Sequence, residues 1–250
     1  MGKTFIAAGL ATHFVRSGQV VIAIDADPAP NLALSLGLTT EEADRIIPIA
    51  ENTDLIRLKT GTGYGGVFRL TFSVDDIIRD YAVRTPSGAG LMVMGTVRSM
   101  GSGCVCPAHT LVKALLRHLV VERDEIVILD MDAGIEHLGR GTAEHVDILL
   151  AVSDANQKSL EIAGSICRLA QDSAIRKVGI VANRIADERE GSVVWEFAER
   201  NNIPVFACIP CDRQVADAGI FGTRVDPATS AAVRVISELA EKLTGPGERS

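Results

Sequence analysis

Met1-Gly2-Lys3-Thr4 runs without a break into Phe5, Ile6, Leu10, Phe14 and Val15, and this stretch decides how the chain is read. The five apolar residues recur on one face of a helix that the spacing predicts over Thr4–Arg16. Gly-Lys-Thr at the head of an amphipathic helix is the last third of a phosphate-binding loop. In such a loop backbone N–H groups cradle phosphate, Lys3 reaches the β- and γ-phosphates, and the Thr4 hydroxyl ligates Mg²⁺. The triplet takes its meaning from the segments that follow.

Outward from that helix, Gln19-Val-Val-Ile-Ala-Ile-Asp25 is a continuous apolar run ending in an acid, the pattern of a buried parallel strand. Glu125-Ile-Val-Ile-Leu-Asp130 repeats it. Further strands are expected over 54–59, 91–94, 146–152, 177–183 and 204–209. Helices are expected over 74–81, 108–120, 157–171, 193–201 and 229–243, with 39–53 helical only in part. Strands alternating with helices predict an α/β fold, a mostly parallel sheet flanked by helices. The chain shows no internal repeat, so one domain over 1–243 with a frayed tail at 244–250 is expected.

Composition narrows the function classes. The chain has 250 residues, 47% of them apolar, and a net charge of −7, which disfavours non-specific binding to nucleic acid or an anionic membrane. No apolar run is long enough to span a bilayer, and the N-terminus does not read as a signal peptide. Five cysteines, an odd number, fit a reducing compartment and a cytoplasmic location.

Several groups of residues carry chemistry. Asp130 ends a buried strand, where an acid can hold Mg²⁺ through water, and the glycine-bearing loop after it, with Glu136 and His137, can move as switch loops do. Asp25 and Asp27 lie in a loop stiffened by Pro28 and Pro30, and one of them can position attacking water or hold Mg²⁺ through water. Cys104 and Cys106, one residue apart, offer two thiolates to one soft metal ion; a two-fold dimer would bring four sulfurs together. Cys208 and Cys211 straddle a strand end and read as packing, and Cys167 reads as core. Asn183, with Arg184 after it, stands where a side-chain amide can read a purine edge.

With these pieces in place, the chain resembles the nickel-insertion ATPases of the CooC type, within the MinD/ParA/nitrogenase-iron-protein class of deviant-Walker P-loop proteins. The resemblance covers nearly the whole sequence. It rests on Gly2-Lys3-Thr4, Asp25-Ala-Asp27-Pro28 with Asn31-Leu32, Gly101-Ser-Gly-Cys104-Val-Cys106-Pro107, the run Asp130 to Arg140, Asn183-Arg184 and Ile209-Pro210-x-Asp212. It implies an ATP-bound homodimer that hydrolyses ATP slowly to ADP and carries Ni²⁺ or Zn²⁺ on the paired Cys104 and Cys106. It further implies delivery to an apo carbon monoxide dehydrogenase or a related nickel enzyme. By the same resemblance Lys3, Asp27 and Asp130 serve catalysis. Gly2, Asp25, Asn183, Arg184, Pro210 and Asp212 serve the nucleotide.

Members of that family carry a strand and further glycines ahead of Gly-Lys-Thr. Met1 stands at the variable slot of their loop, usually Val, and Val's GTG codon is also an alternative bacterial start. The expectation is therefore that Met1 is not the initiator and that the first strand and the front of the loop are encoded upstream. Translating the DNA immediately upstream in frame checks this: it should read a short β-branched strand and Gly-Lys-Gly-Gly, with GTG at the present first codon. An in-frame stop there would defeat the expectation and favour the alternative reading, a non-catalytic metal-holding or scaffolding paralogue with a degenerate phosphate-binding loop.

Overall fold

The structure is a computed structural model that describes residues 2–60, 74–95, 111–112, 114–117, 125–132, 146–171, 175–223 and 225–244. The chain divides into two compact units, Phe14–Asp132 in one and Met1–His13 with Ala133–Ser250 in the other. The first helix, α1 (Lys3–Arg16), gives residues to both. The fold is α/β with mostly parallel strands flanked by helices, as the sequence predicts.

In the Phe14–Asp132 unit the organising element is β1 (Val21–Asp25), all five residues of which are buried. Parallel partners flank it: β3 (Gly90–Val93) on one side and β4 (Ile126–Asp130) on the other. A two-residue strand, β2 (Val83–Arg84), pairs antiparallel with β3, so the order is β2-β3-β1-β4. Ile22 and Ile24, two apart and therefore on one face, join a core with Ile49, Leu55, Ile77, Met92, Met94, Leu111 and Leu115. Each such side chain contributes about 1.5–3 kcal/mol by leaving water. Small helices close this unit: α2 (Leu32–Ser35), α3 (Thr40–Ala43), α4 (Thr53–Thr60) and α5 (Val74–Tyr81), with a 3₁₀ turn at Ile49–Glu51.

One expectation is overturned here. Residues 54–59 are not a strand but lie within α4. The Asn52 side chain accepts the Leu55 N–H at 2.9 Å, a cap bond that starts a helix and lets Leu55 bury completely while Leu58 stays exposed. The apparent alternation of apolar residues was too short to outweigh that cap.

The other unit carries β5 (Ile148–Ser153), β6 (Lys177–Ile185) and β7 (Val205–Pro210), parallel and in the order β5-β6-β7. Two helices, α6 (Gln157–Gln171) and α7 (Glu188–Arg200), link successive strands and pack on them. Then follow α8 (Arg213–Phe221) and α9 (Ala231–Thr244), the latter against β7. The sequence reading missed α8, although Asp212 caps its start and Gly222, at φ 64°, closes its end in the left-handed region. Among the described residues no helix is long and apolar enough to cross a membrane.

Gly179 is the tightest point of β6. A Cβ there would lie 2.6 Å from the Pro204 carbonyl oxygen and 2.7 Å from the Phe206 ring. Gly179→Ala should therefore lower stability by about 1–3 kcal/mol. By contrast, Gly219→Ala in α8 meets open space and should raise stability by about 0.5–1 kcal/mol. Urea unfolding of the two variants beside the wild type reads both effects.

Candidate functional site

The site residues are distributed over the two units. In the unit of Met1–His13 and Ala133–Ser250, Gly2 has φ +87°, a backbone angle open to glycine and few others. Lys3 and Thr4 follow as the first residues of α1, and the Ile6 N–H bonds back to the Gly2 carbonyl at 3.2 Å. The N–H groups of a first helical turn have no partner further back in the helix, and the helix dipole makes that end attractive to anions. A β-carbon on Gly2 would collide with the Asn183 side-chain amide, so glycine is what lets Asn183 approach this backbone.

Asn183 itself is 4% exposed and ends the regular part of β6. The pairing of β6 with β7 slips between Ala182 and Ile185, a bulge that turns Arg184 outward while Asn183 and Ile185 stay buried. Arg184 holds φ 60°, an uncommon angle for a residue with a side chain. Beyond the bulge Pro210 pairs with Ile185, and the Cys211 N–H donates to the Ile185 carbonyl at 2.8 Å.

Asp212 follows and is fully occupied. It accepts from the Gln214 N–H at 2.9 Å, the Ser230 hydroxyl at 2.6 Å and the Ala232 N–H at 3.2 Å. One carboxylate thus ties the starts of α8 and α9 together. The Ser230 hydroxyl, aided by the backbone N–H groups of Ala232, Gln214 and Val215, holds the Asp212 carboxyl below its ordinary range.

The Phe14–Asp132 unit holds the acids. Asp25 and Asp130 end neighbouring parallel strands in register with each other, and both are buried, at 0% and 3% exposure. The Ala26 N–H donates to the Asp130 carbonyl at 2.9 Å, locking the two strand ends. Burial pushes the Asp25 carboxyl up, against the lowering effect of backbone N–H donors from Leu32, Asp27 and Asn31. Asp27, two residues on, is only half-buried and accepts the Ala29 N–H at 2.8 Å. Asp130 and the Thr4 hydroxyl are hard oxygen donors of the kind Mg²⁺ takes.

Cys104, Cys106, Glu136 and His137 lie outside the described residues. Of the other cysteines, Cys167 is fully buried in α6 with its thiol pushed up to about 11 by desolvation. Cys208 is half-buried in β7, its thiol also raised by burial, and Cys211 is exposed. What the sequence reading missed is the occupancy of Asp212, whose partners Ser230 and Ala232 lie 18 and 20 residues away. The Ser230 that precedes the last helix was its one visible signal.

A glycine-opened helix start bearing Lys and Thr, and buried acids ending parallel strands, are the parts of a nucleotide-binding α/β domain. The chain belongs to the CobQ/CobB/MinD/ParA nucleotide binding domain family, whose model matches residues 1–225. It is similar to an uncharacterized ATP-binding protein of Methanocaldococcus jannaschii, 38% identical over 238 residues, 94% of this chain and 91% of that protein. It is also similar to the carbon monoxide dehydrogenase accessory protein CooC of Rhodospirillum rubrum, 40% identical over 233 residues, 91% of this chain and 88% of that one. Among solved structures, a ParA family ATPase from Chlorobium tepidum superposes with a TM-score of 0.67 at 21% identity. That match covers 96% of this chain and 92% of the other.

The lowered Asp212 carboxyl has a consequence for stability. An acid whose pKa falls on folding stabilises the native state above its unfolded pKa and loses that contribution as pH falls through the folded value. Asp212→Ala removes two helix caps and should lower stability at pH 7 by about 1–2 kcal/mol. The gap between wild type and variant in urea midpoint should narrow below pH 4. A gap that stays constant from pH 7 to pH 2.5 would contradict the carboxylate's role.

Proposed function

We propose that the protein is an ATPase that carries a soft metal ion, nickel or zinc, and delivers nickel to carbon monoxide dehydrogenase or a related nickel enzyme. The nucleotide part is carried by one observation above all: Asp25 and Asp130 buried side by side at the ends of β1 and β4, with Asp27 presented just beyond. The delivery part is supported by the 40% identity to a carbon monoxide dehydrogenase accessory protein. The Cys104-Val-Cys106 motif supports it too, since thiolates suit Ni²⁺ and Zn²⁺ alike.

In this reading Lys3 and the first-turn N–H groups of α1 bind and neutralise the phosphates. The Thr4 hydroxyl and Asp130 would hold Mg²⁺, which would supply charge neutralisation to the phosphates. Asp27 accepts a hydrogen bond from the attacking water and orients it. Arg184 and Asn183 border the base. Two copies of the chain bring four thiolates to one metal ion, and the switch residues Glu136 and His137 couple nucleotide state to metal release.

The tests separate the parts. In the full-length gene product Lys3→Ala should abolish ATP binding in equilibrium dialysis. Asp27→Ala and Asp130→Ala should retain much of it while phosphate release falls by about 10²-fold or more. Unchanged hydrolysis in all three would sink the ATPase reading. For the metal, the protein should bind about one Ni²⁺ or Zn²⁺ per dimer and lose it in the Cys104→Ala, Cys106→Ala double variant. Cys208→Ser with Cys211→Ser should leave it bound. An active ATPase with no metal would point instead to a MinD/ParA-like ATPase of other function.

A further inference from the structure

Asp25 has both carboxylate oxygens engaged by the backbone of the loop that follows it. Oδ1 accepts the Asp27 N–H at 3.2 Å and Oδ2 accepts the Leu32 N–H at 2.9 Å. Leu32 opens α2, and the helix's own N-cap residue does not serve it: the Asn31 side chain makes no cap bond and donates instead to the Ala29 carbonyl at 2.7 Å. A buried side chain seven residues upstream therefore does the work of the cap. Asp25 is itself immobilised, because its carbonyl accepts the Met94 N–H at 2.8 Å and the next residue is bonded to Asp130.

Within the loop, Ala29 N–H donates to Asp27 Oδ1 at 2.8 Å, and no described residue donates to Asp27 Oδ2. That oxygen is the one left for water. Its direction is set by the Asp27 backbone, and the Asp27 backbone is held by Asp25.

We propose that Asp25 is a positioning residue: its buried carboxylate clamps both ends of the segment 27–32, aims Asp27 at the attacking water, and ligates neither nucleotide nor Mg²⁺. This role rests on the ATPase reading above and makes it more specific. Each oxygen already serves a loop N–H in a completely buried residue, and the same two bonds account for why an acid, with two acceptor oxygens, stands there.

Asp25→Asn tests the role in the full-length gene product. The amide keeps the size but replaces one acceptor by a donor that faces an N–H. Hydrolysis should fall by about 10- to 100-fold in kcat, as misaimed groups lose rate. The Kd for ATP and the Mg²⁺ concentration for half-maximal activity should stay within about twofold of wild type. The Asp25→Asn, Asp27→Ala double variant should hydrolyse ATP no more slowly than Asp27→Ala alone, because the first residue acts through the second. A rise in the Mg²⁺ or ATP requirement, or losses that multiply in the double variant, would make Asp25 a direct ligand and overturn the proposal.

Should Asp25→Asn fail to fold, amide exchange in the wild type carries the same decision. The Asp27 and Leu32 N–H groups should be protected and remain so with Mg²⁺ and ATP present. Loss of that protection would mean the carboxylate leaves them for the metal. A wild type without ATPase activity would overturn the proposed function and this role together, a result distinct from an active wild type with an unsplit Asp25→Asn.

Discussion

A carboxylate buried at the end of a buried strand must be given donors, and much of the Phe14–Asp132 unit is arranged to give them. Removing an ionised group from water without partners is far more costly than any single packing contact gains. Asp25 meets this by drawing two loop N–H groups onto its oxygens. The chain after β1 is thereby forced to double back within seven residues and to begin a helix at Leu32. Leu32 in turn is wholly buried, so one polar requirement and one apolar burial fix the same loop. The raised Asp25 carboxyl is what remains after those donors have offset part of the desolvation.

The alignment of β1 with β4 extends this constraint. Register places Asp25 beside Asp130, and the Ala26 N–H to the Asp130 carbonyl prevents a slip at the point where chemistry is proposed. A one-residue shift would move Asp130 to the other face of the pleat. The isoleucines of β1 hold the register from beneath, since Ile22 and Ile24 fit the core only in this phase. Packing and the placement of the acids are thus one problem with one solution.

How much of this can be read without coordinates follows from range. The apolar run Val21 to Ile24 is legible because a strand buried on both faces leaves a continuous apolar pattern, and the half-buried run Ile126 to Leu129 repeats it, with the acids after them marking the strand ends. The helix 157–171 is legible for the same reason, its buried residues recurring every three or four positions. The α4 segment was not, because Asn52 decides it from outside the alternating stretch. Nor was the sharing of Asp212 between two helix starts, which depends on Ser230, or the burial of Asn183 against Gly2, which depends on a contact between residues 181 positions apart. Residue type marks a group as a candidate in such cases; only the tertiary contact says which of its atoms are already spoken for.

The two units repeat one device at their strand ends. In each, a polar residue at the C-terminal end of a central parallel strand is buried, Asp25 in β1 and Asn183 in β6, and a charged residue one or two positions on is turned outward. After β1 that residue is the half-buried Asp27, held through the buried carboxylate. In β6 it is Arg184, held by a bulge and a left-handed backbone angle. A charged side chain on a free loop would spend its time in many rotamers and its backbone in many states, and ordering it at the moment of binding would consume affinity. Setting the buried neighbour first removes that requirement. The stability needed to hold these ends comes from the strands themselves, which explains why polar residues are tolerated inside two cores built mainly from apolar side chains.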